Sequence, residues 1–305
     1  MDLRAFTEPQ QGASFAQLLA LAQRAERLGY SGFFRSDHYV AIGGEPRPDV
    51  TDAWVTLGAL ATATSSIRLG TLMSSATFRL PGPFAVAAAQ VDVMSGGRLE
   101  IGLGTGWYER EHQALGIPFP SLRERFDRFQ EQLEILHGLW TTPEGGRFDY
   151  DGRHYQLQQC PVVFRPAQRP YPPILIGGYG ARRTPALAAR FAAEFNLPAA
   201  TVPAAAEQFA RVDEACREIG REPSSLARSV WVTVCIGRDE AEFQRRAAAI
   251  GREPAELREH AMAGLPGEAR ATMDRFGEVG VSRVYLQFLD VDDLDHLDLA
   301  IEALG

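Results

Sequence analysis

Cysteine is scarce in this chain of 305 residues, which has three: Cys160, Cys216 and Cys235. Their odd number and wide spacing exclude a disulfide framework and a cysteine-built zinc site. Positive charge is also in short supply, and the formal charge of −8 leaves no basic field. Nucleic acid and anionic membrane surfaces both need such a field, so neither is an expected partner. Long apolar runs are missing too, since Arg, Gln or Asp interrupts each one before membrane-spanning length. No early segment joins a basic start to an apolar stretch, so no secretory signal is read and a cytoplasmic setting is expected.

What is present suits one large α/β unit spanning residues 1–305. Hydrophobic residues make up 45% of the chain, enough for a large core. The length is long for an average domain but ordinary for a barrel of alternating strands and helices. Leu3–Phe6 reads as a strand ending at Thr7-Glu8-Pro9, and Ser14 can cap a helix with Phe15, Leu18, Leu19, Ala22, Ala25 and Leu28 at helical spacing. Gly29 stops that helix. Further strand–helix pairs follow with Gly-marked junctions, about eight in all, which is the pattern of a (β/α)8 TIM barrel. A doubly wound open sheet is the alternative, but it lacks a Gly-x-Gly-x-x-Gly after the first strand and would be long for its type. Residues of about 141–172 break the rhythm after the fourth helix. They read as a hairpin with an Asp151-Gly152 turn, an insertion of the kind that shapes sites.

All strands of a barrel run the same way, so their C-terminal ends meet on one face. That gathers Asp37-His38, Ser74 to Thr77, Thr105 to Glu109, Gly177 to Gly180, Asn196 and Gln287. The set contains hydroxyls, amides, carboxylates and one imidazole, but no metal triad. Each element also has a plain reading. Asp37-His38 can cap a loop, and Gly177-Gly178-Tyr179-Gly180 can be a tight turn. The latter also exposes amides before a helix as an anion cradle, with Arg182 and Arg183 adding charge. Gly102, Gly104 and Gly106 can serve packing or let a flat ring approach the backbone. Trp107 and Tyr108 read as wall, and Cys235 as a small buried apolar residue.

Five stretches then occur in order: Gly32 to His38, Leu69 to Arg79, Ser95 to Trp107, Glu109 to Gly116 and Ile174 to Thr184. Together they resemble the bacterial luciferase-like superfamily, in particular its actinobacterial branch using coenzyme F420, a deazaflavin. The resemblance implies a TIM barrel that binds its cofactor at the C-terminal face. It implies that Asp37 contacts the cofactor and that His38 transfers a proton. Leu72, Met73 and Ser75 match a bulged strand, often with a non-proline cis peptide, which backs the ring. Gly177, Gly178, Tyr179 and Gly180 match the phosphate cradle. Thr77, Gly106 and Tyr108 complete the expected cofactor contacts, and Asn196 falls where the family often has an Asn.

Trp107 stands where sugar-phosphate dehydrogenase relatives place an acid, which puts their substrate in doubt. Glu109 or Glu111 can supply a carboxylate, with helix register deciding which faces the pocket; Glu109 is assigned with His38 to the catalytic set. The resemblance thus implies hydride transfer between F420 and a small organic substrate, with reduction of an activated C=C or C=N bond favoured over alcohol oxidation. An FMN-dependent monooxygenase of the same barrel, working with a flavin reductase, is the alternative. Barrels of this family are often homodimers, though no pairing surface is readable. The mouth is expected to be lined by Tyr39 to Pro48, by residues 141–172 and by the loop after Cys235.

Overall fold

The computed structural model describes residues 1–43 and 48–305. Its first half alternates β1 (Asp2–Thr7), α1 (Phe15–Leu28), β2 (Gly32–Arg35), α2 (Ala53–Ala63), β3 (Arg68–Ser75), α3 (Pro81–Met94) and β4 (Leu99–Gly104). A short α4 (Glu109–Leu115) and a long α5 (Leu122–Thr141) lead to a hairpin of β5 (Arg147–Asp151) and β6 (Gln156–Pro161). The alternation resumes with β7 (Ile174–Gly177), α6 (Arg183–Phe191), β8 (Glu194–Pro198), α7 (Val202–Glu218) and β9 (Ala227–Ile236). It ends with α8 (Glu240–Ala249), α9 (Pro254–His260), β10 (Met262–Gly264), α10 (Pro266–Glu278), β11 (Arg283–Gln287) and α11 (Leu294–Leu304).

The strands pair in parallel in the order β11-β1-β2-β3-β4-β7-β8, and β9 pairs with both β8 and β11. That double pairing closes eight strands into a barrel and eliminates the open-sheet alternative. The brief β10 extends the sheet beside the far half of β9. Local signals act as read from the sequence. Ser14 and Gln17 form a reciprocal capping box at α1, and Gly29 ends it at φ +84°. Asp52 accepts from the amides of Trp54 and Val55 to start α2.

Two departures have physical causes. The α4 helix has only seven residues and Tyr108 at its N-cap, without a capping side chain, so it carries no start signal. Because it exists, the insertion follows the fifth helix rather than the fourth. The insertion also stays away from the barrel mouth. Its hairpin packs on α5, where the amides of Arg153, His154 and Tyr155 donate to Glu131 and Tyr150 Oη donates to Glu134 at 2.7 Å.

The main core lies between the strands and the helix ring, and a separate apolar cluster fills the barrel itself. Phe6, Phe34, Leu72, Leu175 and Tyr285 form that inner cluster. Phe34 fits because Gly70 lacks a side chain: a Cβ there would come within 2.3 Å of the ring. Burying each such ring contributes on the order of 2–3 kcal/mol. Below them, at the N-terminal end, Arg4 pairs with Glu100, Arg68 also reaches Glu100, and Arg283 pairs with Glu194.

Candidate functional site

A cavity of about 510 Å³ opens at the C-terminal ends of the strands. Phe6, Leu72, Met73 and Trp231 line it with apolar surface. His38, Ser75, Glu111 and His112 bring polar groups to it. The sequence-predicted Gly106, Tyr108, Gly177, Gly178 and Tyr179 border the same space. Strand β3 reaches it through a register shift between Thr71 and Ser74, and the Leu72–Met73 peptide is cis. The Met73 side chain lies along bare backbone: a Cβ on Gly177 would come within 2.8 Å of its Cε. Glycine there keeps the methionine down on the floor.

His38 is the best-organised group in the cavity. Its Nδ1 lies 2.8 Å from Glu111 Oε2, while Glu111 Oε1 accepts from the backbone amides of Tyr39 and Val40. Burial by itself would raise the Glu111 carboxyl, but the His38 bond and the two amides outweigh it and hold the group below its ordinary value. The ionised carboxylate can only accept, so His38 Nδ1 carries a proton and donates it. Nε2 is then the nitrogen free to exchange a proton with a ligand. Trp107, 60% exposed, stands edge-on to the imidazole at 5.8 Å. Glu109, assigned to the catalytic set from the sequence, does not line the cavity. It sits exposed on the first turn of α4 and accepts from Gln113. Glu111, two residues on, is rotated by about 200° around the helix and points inward.

A second hydrogen-bond chain ends at Ser75. His112 Nδ1 lies 2.8 Å from the Tyr108 carbonyl, which can only accept, so the proton is on Nδ1. In the neutral ring Nε2 then accepts from Thr77 Oγ1 at 2.6 Å, and Thr77 accepts from Ser75 Oγ at 2.5 Å. Thr77 therefore does not line the cavity but sets the polarity of the Ser75 that does. Gly106, at φ +78°, covers this chain closely, and a Cβ there would lie 2.3 Å from Ser75 Oγ.

Asp37 is also placed differently from expectation. Its carboxylate accepts from Ser74 Oγ at 2.7 Å and from Arg79, which also bonds Tyr39 and Asp52. The residue is 1% exposed and does not border the cavity. It braces the loops after β2 and β3, because Arg79 folds back and occupies both of its oxygens.

The glycine loop after β7 is held from α7. Gln208 on α7 donates to the carbonyls of Gly178 and Gly180 at 3.2 and 2.9 Å. In a planar trans peptide the following N–H points the opposite way, so the amides of Tyr179 and Ala181 face away from the buried Gln208. No backbone carbonyl among the described residues accepts from Tyr179, Gly180 or Ala181. Gly180 itself packs on Thr184, which a Cβ would meet at 2.3 Å, and lies outside the cavity wall.

Two residues, Glu8 and Gln208, escape the sequence reading, while Ser36 reads in sequence as shaping the turn and the pocket wall. Glu8 lines the cavity beyond β1; burial foremost pushes its carboxyl above the ordinary range, against the opposing pull of His38, Gln10 and Gln287. Ser36 borders the cavity and donates to Gln10. Gln208 organises the glycine loop from more than 25 residues away in sequence. The signal for Glu8 was its place after the first strand, the same position that marks His38 after the second. Neither residues 141–172 nor the loop after Cys235 line the cavity, and Gln287 is tied to Thr233 instead. Of the expected mouth segment Tyr39 to Pro48, Ile42 borders the cavity, while 44–47 lie outside the described residues.

The site thus combines an eight-stranded parallel barrel, a histidine–carboxylate pair and a glycine loop at one mouth. The chain belongs to the luciferase-like monooxygenase family, whose model matches residues 2–284. An F420-dependent glucose-6-phosphate dehydrogenase of Microbacterium testaceum is 36% identical over 55% of this chain and 48% of its own length. The pyrimidine monooxygenase RutA of Cronobacter turicensis is 29% identical over 76% of this chain and 65% of its own. The chain thus spans about half to two thirds of the length of these curated relatives. Among solved structures, an F420-dependent secondary alcohol dehydrogenase in complex with an F420–acetone adduct has a TM-score of 0.84. It is 20% identical and covers 99% of this chain and 98% of that one, a likeness of fold.

Proposed function

We propose that this protein is a coenzyme F420-dependent oxidoreductase acting on a small organic substrate by hydride transfer. The observation that carries the reading is His38 Nε2, free at the cavity while Nδ1 is held by an ionised Glu111. The residues present fit a deazaflavin. Met73, seated on the bare backbone of Gly177, gives a flat ring its floor, and the amides of Tyr179 and Ala181 suit its phosphate. When bound, that cofactor supplies hydride chemistry. The chain's own part is to position the ring, exclude water and handle one proton. His38 exchanges that proton at Nε2, and Glu111 fixes its tautomer and stabilises the imidazolium. Glu8, whose carboxyl burial pushes upward, lines the same cavity and is a second group able to give a proton there.

The walls of Phe6, Phe78, Trp107 and Trp231 suit an apolar substrate, and an activated C=C or C=N bond is the proposed group reduced. Parallel titration of the purified protein with F420 and FMN tests the cofactor reading; tight FMN binding with no F420 binding overturns it in favour of a flavin monooxygenase. The outer faces of α2 and α3 expose Val55, Val86, Val93 and Met94 and carry no charged side chain. A helix pair so apolar outside is built to be covered, and a second copy of the chain is the proposed cover. Light scattering should give a dimer for the wild type and a monomer for Val86→Glu with Val93→Glu.

A further inference from the structure

Asn196 pairs in register with Gly177 and borders the cavity beside Phe6, Leu72, Met73 and Trp231. Its orientation is dictated from below. The Glu194 carboxylate accepts from Arg283, from Tyr285 Oη at 2.7 Å and from Ser229 Oγ at 2.5 Å. The groups within reach of the Ser229 proton, Glu194 and the Phe195 carbonyl, are acceptors. The Ser229 oxygen therefore has lone pairs to offer, and it takes Asn196 Nδ2 at 2.9 Å. Turning the amide over would set two acceptors against each other. Asn196 Oδ1 is left on the other side, in a residue 1% exposed, and no protein group donates to it. Buried amide oxygens nearly always have a partner. Phe6, Leu72 and Met73 carry no side-chain N–H or O–H, and the Trp231 indole N–H does not reach the oxygen, so the missing donor has to come from what the cavity holds.

We propose that Asn196 Oδ1 accepts a hydrogen bond from the imide N–H of the ring bound above it. The proposal rests on the cofactor reading, and deazaflavin and flavin rings share this donor between two carbonyls. Asn196 is then a ring-recognition residue, while Ser229 and Glu194 are positioning residues that act through it. The strand pairing explains the arrangement: β8 delivers Glu194 and Asn196 to the same inner side two residues apart, and β9 places Ser229 opposite Asn196, where its hydroxyl reaches both.

The test measures dissociation constants by fluorescence titration of the whole protein. The probes are the deazaflavin chromophore and the same ring methylated at the imide nitrogen. Methylation is expected to weaken wild-type binding about tenfold. Asn196→Ala should bind both rings equally and weakly, and Ser229→Ala should lose part of the preference while keeping Asn196. Equal wild-type affinity for the two rings overturns the proposal, and so does a preference that survives Asn196→Ala. A variant that leaves ring affinity unchanged but raises the substrate KM also overturns it, by assigning the donor to the substrate. Should Asn196→Ala not fold, the wild-type comparison alone decides. Binding of FMN in place of the deazaflavin sinks the cofactor reading, and FMN against its imide-methylated form then decides on Asn196 separately.

Discussion

The two ends of this barrel hold similar residues and use them in opposite ways. At the N-terminal end Arg4, Arg68, Arg283, Glu100, Glu194 and Tyr285 bond one another until little valence remains. At the C-terminal end His38, Glu8 and Ser75 border open space, and each keeps an atom facing it. A charge that is fully paired holds structure; one that is half paired is available to a ligand. The contrast teaches that burial and charge alone do not mark a site. Arg4 is as buried as Glu111, yet only Glu111 serves a group with a free nitrogen.

The largest effect that would sharpen this contrast lies at the closed end. Glu100→Ala leaves Arg4 and Arg68 without their shared carboxylate and should cost about 3–5 kcal/mol in urea unfolding. Ring affinity per folded molecule should not change, and a loss confined to ligand binding would break the comparison. At the open end the expectation reverses. His38→Ala should lower turnover about 10²- to 10⁴-fold with cofactor affinity nearly unchanged, and its stability loss, from the partner taken from Glu111, should be smaller than that of Glu100→Ala. Unaltered single-turnover rates would remove His38 from the chemistry.

Smaller effects separate neighbours. Glu111→Gln should lose about tenfold to a hundredfold of turnover, a part of the His38 contribution, whereas Glu109→Gln should behave as wild type. The Glu111 carboxyl is depressed in the folded protein, so its stabilisation is present above its unfolded pKa and fades as pH falls through the folded one. The stability gap between wild type and Glu111→Gln should therefore close in acid. Glu8 runs the other way. Its raised carboxyl favours the fold below the unfolded pKa and disfavours it as pH rises through the folded value. Glu8→Gln should gain stability relative to wild type at pH 8 and lose that gain at pH 4, by chemical denaturation. A gap independent of pH would return Glu8 to an ordinary exposed carboxylate.

Chain order and local pattern were enough to place much of this. Ser14 and Gly29 act on their own neighbours, so this cap and this stop were legible from spacing. The alternation of strand and helix implied closure, and closure implied that Asp37-His38, Ser74 to Thr77, Thr105 to Glu109, Gly177 to Gly180, Asn196 and Gln287 would meet; His38, Ser74, Ser75, Thr105 to Tyr108, Gly177 to Tyr179 and Asn196 do border one cavity. What remained hidden depends on rotation and distance. Glu109 and Glu111 are equivalent on paper, and only the docking of α4 turns one of them toward His38. Asp37 reads as a free carboxylate until Arg79 folds back onto it. The insertion at 141–172 reads in sequence as lining for the mouth, yet Glu131 and Glu134 on α5 hold it against the outside of the ring. Gln208 gives no local signal, because its partners are loop carbonyls from another turn of the barrel.

The sequence by itself therefore determined the barrel, the face that carries the site and most of the backbone that frames it. These follow from period, caps and glycine positions, which act over a few residues. Only the tertiary structure decided which carboxylate serves His38, which hydroxyl faces the cavity and which amide oxygen is left without a donor. Those are questions of which lone pairs are already taken, and the answer exists only once distant strands have been brought within about 3 Å of one another.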